Sequence, residues 1–323
     1  MPEQDAADTS SNSLLNDCAD LCDTARRLFH AHAVRTRWIP AASSPAADHM
    51  NAAREHVGVD ERWDDRDIQE VSALCPVYLF GATQHLGSIA ALLRAGLCQL
   101  HPGPSARAVS EWSAKAMWLL DPRLTYDHGL AVGTRKRVAR VLLDKELDAR
   151  LRKDVGDKLE APDRAKWGDE WRAAKDRVRE PGVFRADEIS VDKHGDVTLC
   201  GERLAGPGEL VLLAGTIVQY DSAGAQYSYL SSMGHPTIYA VMETVEWYED
   251  ENGDVQARDA MSVPGIAILA TNAVAAFYAG WRLLTIWLGH NETDLASLSQ
   301  AHALVTARIG PQSTQRPKPI SEG

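Results

Sequence analysis

Two long apolar stretches constrain this chain most. One runs from Val71 to Leu100 and the other from Val263 to Leu288. As helices rising about 1.5 Å per residue, either would cross a domain or a bilayer. Their polar residues decide between the two. The first stretch holds Gln84, His85 and Arg94; the second holds Thr271, Asn272 and Arg282, with Pro264 at its start. Both are rich in Ala and Gly, which together are at least as frequent there as Leu and Ile. A bilayer penalises that many polar side chains. The expectation is two central helices, buried all round inside a bundle, with no membrane partner.

The rest of the chain supplies helices to surround them. Leu14, Cys18, Leu21, Ala25 and Leu28 recur at three- and four-residue steps, predicting an amphipathic helix to Arg35. Further helices are expected over 106–120, 134–155, 162–179, 208–219, 225–233 and from Asn291 or Thr293 to Ile309. In the polar helix 162–179, Trp167 and Trp171 are four apart and serve as its anchor. Residues 183–204 alternate weakly, and Asp192 to Asp196 reads as a hairpin turn. Residues 237–248 fit helix or strand equally well, and Glu249 to Asp254 reads as a solvated turn. The fold class is therefore mainly α, a multi-helix bundle with two buried central helices and a small β-hairpin insertion at about 181–206. One helical domain covers 13–309, with residues 1–12 and 310–323 expected to be disordered.

Charge and cysteine content narrow the function classes. The formal net charge of −11 argues against a dedicated nucleic-acid binder. A local basic run, Arg135, Lys136, Arg137 and Arg140, is read as a solvated helix face. Of five cysteines, Cys18 and Cys22 are four apart on a helix, and no Cys-x-x-Cys pair occurs. Reduced, buried thiols in a cytoplasmic protein follow. The N-terminal sequence is acidic and polar, unlike a secretory signal. No phosphate-binding glycine loop, nucleophile elbow, His-Glu-x-x-His or paired Glu-x-x-His motif is present. Asp64, Asp65 and Asp67 approach the Asp-rich metal motif of helical terpene cyclases, but no second motif matches, and they read as a charged helix entry. No cofactor and no metal are implied.

Two helical constellations carry the functional expectation. Arg107 and Glu111 share a helix face, followed by Trp112, Trp118, Leu119, Leu120, Asp121 and Pro122. Tyr227, Ser231 and His235 fall at i, i+4 and i+8, a line of groups that donate, accept and titrate near neutral pH. Each also has a plain structural reading, as an intrahelical ion pair and as a row of helix-tying hydrogen bonds. Taken together with Arg137 and Arg140, these residues resemble a mainly actinobacterial family of helical proteins. The resemblance covers about Gln84 to Tyr239 and implies a helical fold, with no activity to carry over. Arg27-x4-His32 and Arg123-x4-His128 also resemble the Arg-x4–6-His signature of HEPN-type ribonucleases, a toxin or defence class. In that reading a homodimer brings the Arg and His pairs into one groove.

The leading expectation is an enzyme or binding protein for a small molecule, using acid–base chemistry in a polar pocket. His235 would be the base or acid, with Glu111, Tyr227 and Ser231 as its catalytic partners. Arg107 would bind substrate, and His85, Trp112, Trp118 and Asn272 would complete the pocket. A non-catalytic scaffold or regulator is the alternative, and the ribonuclease the second alternative.

Overall fold

Why the apolar stretches coil inward becomes clear once their neighbours are placed. The computed structural model describes residues 2–55, 66–96, 102–159, 162–179, 184–193, 196–234, 245–249, 252–259 and 262–309. In chain order the helices are α1 (Pro2–Thr36), α2 (Pro45–Glu55), α3 (Arg66–Arg94), α4 (Pro102–Leu120), α5 (Arg123–Tyr126), α6 (Leu130–Leu159) and α7 (Arg164–Arg179). A three-stranded antiparallel sheet follows: β1 (Ile189–Val191), β2 (Val197–Leu199) and β3 (Glu202–Arg203). Then come α8 (Pro207–Ile217), α9 (Ala223–Gly234), the hairpin β4 (Val245–Glu249) and β5 (Val255–Asp259), α10 (Val263–Leu288) and α11 (Thr293–Ile309). The chain is mainly α with a small β insertion.

The central helix is α10. Ser262 caps its N-terminus by accepting a hydrogen bond from Gly265 N at 3.2 Å, and Pro264 occupies the first turn. Gly289 ends it with φ 68°, a left-handed conformation that suits glycine. It packs against α1, α3, α4 and α11. Gly280 permits the closest approach: a Cβ there would lie 3.0 Å from Leu79 of α3 and 3.4 Å from the Ser113 carbonyl of α4. Phe29 of α1 meets Phe277 and Trp281 edge-on, at 5.4 and 5.5 Å between centroids. Cys18, Cys22 and Cys75 are buried within this core as free thiols.

Several expectations are corrected. The central helices are not buried all round. Val77 and Phe80 of α3 are about half exposed, and Ile268 and Ile286 give α10 an outer edge. Among the described residues α10 alone is long and apolar enough to cross a membrane, and half of its most apolar window is buried. Helix α1 begins at Pro2, inside the stretch expected to be disordered. The helix expected over 106–120 starts earlier, at Pro102. The ambiguous region holds an antiparallel hairpin pairing Val245 with Asp259 and Glu249 with Val255.

The basic run is not a solvated face. Arg137 and Arg140 are 2% and 5% exposed. Helix α4 stops at Pro122, leaving its last carbonyls without helical partners. Arg137 donates to the carbonyls of Leu119 and Asp121 at 2.6 and 2.8 Å, and Arg140 donates to that of Trp118. Arg140 and Lys136 also bind Glu202 of β3 at 2.7 and 2.8 Å, and Arg135 binds Glu188. A sequence run cannot show that two of its four cations face the carbonyl end of another helix and the other two face carboxylates.

Candidate functional site

A cavity of about 250 Å³ lies where α4, α8, α9 and α10 meet. Its walls follow from small residues at helical spacing. On α10, Asn272, Ala275, Ala276 and Ala279 share one stripe; on α4, Ser110, Ala114 and Met117 share another. Short side chains on facing helices leave space that Leu or Phe would fill. Val211, Ala214 and Gly215 of α8 and Ala223, Gln226, Tyr227 and Leu230 of α9 close the other side. The tight α8–α9 connection requires Gly215, since a Cβ there would lie 2.4 Å from that of Ala223. No Asp, Glu, Lys, Arg or His lines this cavity among the described residues.

Tyr227 links the cavity to a polar cluster. Its hydroxyl donates to Glu111 Oε1 at 2.8 Å and accepts from Arg107 at 3.3 Å. Arg107 Nε donates to the same Glu111 oxygen at 2.8 Å, and its guanidinium stands 5.6 Å from the Tyr227 ring centroid. A Cβ on Gly208 would come within 2.9 Å of that ring, so the start of α8 lies against the tyrosine. Burial, and then the bond to Glu111, raise the Tyr227 pKa, so the phenol keeps its proton and acts as a donor. The Glu111 bond is the first cause that raises Arg107. Arg107 and Glu111 remain 23% and 30% exposed, so the cluster is a half-wet rim rather than a dry interior.

The structure therefore brings together only part of the expected set. Arg107, Glu111 and Tyr227 meet, and Asn272 faces the cavity that Tyr227 lines. Ser231 is half-buried one turn beyond Tyr227, with no side-chain hydrogen bond among the described residues. His235 lies outside the described residues. Three residues expected in the pocket walls are elsewhere. His85 is half-buried on α3, which does not line the cavity. Trp112 packs on Tyr78 (5.7 Å between centroids) and against Gly81, on the α3 side of α4. Trp118 is buried beneath the Arg140 guanidinium, 5.3 Å away. All three misplacements share one cause: the apolar content of α4 and α3 does not say which neighbour each face meets.

Other buried polar clusters escaped sequence reasoning. Asp144 of α6, 3% exposed, accepts from Lys115 Nζ at 2.6 Å and from the Tyr78 hydroxyl. Burial pushes its carboxyl up to about 7 and pulls Lys115 down. His49 of α2 is sandwiched between Thr134 Oγ1 at 2.6 Å and Thr125 Oγ1 at 2.9 Å. Burial first, and the Arg137 charge second, hold it down to about 3. Of the Arg-x4-His pairs, His32 is buried between Asp294 (3.2 Å) and His290 (3.1 Å), while Arg123 grips Asp121 bidentately at 2.9 and 3.0 Å. The partners of Asp144 and of His49 lie far apart in sequence, on different helices, so no spacing announces them. No group of three or more His, Cys, Asp or Glu suited to a metal ion occurs among the described residues. No family model matches the chain, and no curated protein or solved structure matches it either.

Proposed function

We propose that this protein binds an uncharged, largely apolar small molecule in the cavity between α4, α8, α9 and α10. The observation that carries this is the lining, which among the described residues holds no charged side chain; apolar side chains dominate it, and Asn272, Gln226 and Tyr227 supply a few polar contacts. Binding pockets of this composition gain affinity from apolar burial and orientation from few hydrogen bonds. An ionised ligand would lose its hydration with no opposite charge to replace it. An engineered cavity of about 150 Å³ admits benzene, so about 250 Å³ suits a molecule somewhat larger.

The rim cluster positions rather than reacts in this reading. Glu111 neutralises Arg107, and Tyr227 is held protonated between them. The three fix the α4–α9 side of the opening and present one phenol ring to the ligand.

Calorimetric titration with 2-naphthol tests the proposal. Binding with a Kd of about 1–100 μM is expected, from about eleven heavy atoms at ordinary ligand efficiency. The carboxylate 2-naphthoate should bind at least about tenfold more weakly, because it would bury an unpaired charge. Ala276→Leu should block 2-naphthol. No binding, or equal affinity for the naphthol and the naphthoate, would overturn the proposal.

A further inference from the structure

Several polar side chains of the apolar helix α10 are engaged within the protein. Thr271 and Thr285 donate to the carbonyls of Ala267 and Trp281 at 2.9 and 3.0 Å, Trp287 Nε1 donates to Ser72 at 2.9 Å, and Arg282 faces Glu292 at 3.8 Å. Asn272 differs. Its carboxamide lines the cavity between α4, α8, α9 and α10 and has no hydrogen-bond partner among the described residues. Gln226 repeats the arrangement on α9: its side chain lines the same cavity, again with no partner among the described residues. Both amides are half-buried. Helices α9 and α10 each pack on α4, so two unused carboxamides meet one cavity from two elements. The hydroxyls nearby are already committed as donors. Ser110 Oγ donates to the Ala106 carbonyl at 3.1 Å, and Tyr227 donates to Glu111 at 2.8 Å.

A primary carboxamide offers two N–H donors and a carbonyl acceptor with two lone pairs. A ligand that fills the cavity strips both amides of water, and a pure hydrocarbon returns nothing for those bonds. We infer that the ligand is a planar lactam, a ring whose N–H and C=O stand side by side on one edge. The inference rests on the neutral-ligand cavity proposed above and names the ligand class within it. Asn272 pairs with the lactam edge through two bonds: the ring N–H donates to its amide oxygen, and its amide N–H donates to the ring carbonyl. Gln226 donates to the second lone pair of that carbonyl. Asn272 takes the two-bond role because its side chain is shorter and loses less freedom when fixed. An alcohol carries donor and acceptor on a single atom, so it cannot match both atoms of one carboxamide side by side.

The remaining walls suit a flat ring. Ala275, Ala276 and Ala279 stand three, four and seven positions after Asn272 on the same stripe of α10, a wall of methyl groups. Tyr227 presents its ring from the α9 side.

Calorimetry with quinolin-2-one, its 1-methyl and 4-methyl derivatives and 2-naphthol tests it. Quinolin-2-one matches 2-naphthol in size and should bind about tenfold or more tightly, through the added paired bond. The two methyl isomers are equal in size, but only the 4-methyl isomer keeps the lactam N–H. The 1-methyl isomer should bind about tenfold or more weakly than the 4-methyl isomer. Asn272→Leu keeps a similar volume without hydrogen-bonding groups and should bring the two isomers to equal affinity, with folding verified by circular dichroism. Equal affinity of the isomers for the wild-type protein overturns the inference, as does a full isomer preference in Asn272→Leu. So does 2-naphthol binding as tightly as quinolin-2-one, a result that leaves the neutral-ligand reading standing. Absence of binding by both compounds overturns the inference and that reading together.

Discussion

Replacing Ala276 by Leu should stabilise the protein, which is the reverse of what a packed helix interior does. Ala276 is half-buried and faces the cavity; Ala270, on the same helix, is 0% exposed and packed in the core. Leu adds three carbon atoms. At about 0.8 kcal/mol per buried methylene the gain approaches roughly 2.4 kcal/mol. Restricting the leucine side chain costs about 0.5–1 kcal/mol, leaving about 1–2 kcal/mol of net stabilisation. Helix propensity changes little, since Ala and Leu are both strong helix formers. At position 270 the same three atoms have no void to occupy and should cost about 1–3 kcal/mol through forced rotamers and backbone shifts. Urea unfolding reads the difference as opposite shifts in midpoint at constant slope. If Ala276→Leu loses stability as Ala270→Leu does, the space beside α10 is closed and the cavity reasoning fails.

Three further perturbations address the buried polar groups. Because His49 is depressed to about 3, its contribution is full above its ordinary 6.5 and is lost as pH falls toward 3. His49→Gln should flatten stability across that window, and an unchanged acid slope would contradict the assignment. Asp144 has the opposite sign: with its carboxyl raised from 3.8 to about 7, its contribution is full below about 4 and is lost as pH rises through 7. Urea midpoints of Asp144→Asn should therefore lack the wild-type decline between those values; retention of the full decline places its source elsewhere. Tyr227→Phe removes a hydroxyl bonded to both Glu111 and Arg107, and should cost about 0.5–1.5 kcal/mol by thermal unfolding. A loss above about 3 kcal/mol would mean a far more buried cluster than the half-exposed rim described.

The fold was largely legible because helical periodicity and stop signals are local. Pro122 ends α4, Asn291 bonds Thr293 N at 2.7 Å where α11 begins, and Trp167 and Trp171 anchor α7 against α6. The site was legible only where its residues share a turn, as Arg107 and Glu111 do. The third member, Tyr227, meets them across 116 positions of chain, which no spacing encodes. The cavity itself was least legible, since it is made by residues that are small: Ala275, Ala276 and Ala279 read as ordinary helix formers until their neighbours are known to be small too. Likewise the Arg137 and Arg140 cap depends on where α4 ends relative to α6. Residues 237–248 fitted helix or strand equally well, and cross-strand pairing with 255–259 places 245–248, the described part of that stretch, in a strand.

Occupancy in the cell is the most direct measurement. Protein purified without denaturant from its native cells, analysed by native mass spectrometry and then by organic extraction, should release a neutral, largely apolar compound. Ala276→Leu, prepared in parallel, should release none. Release of the same compound in equal amount from both proteins, or release only of charged molecules, would contradict a ligand held in the cavity between α4, α8, α9 and α10.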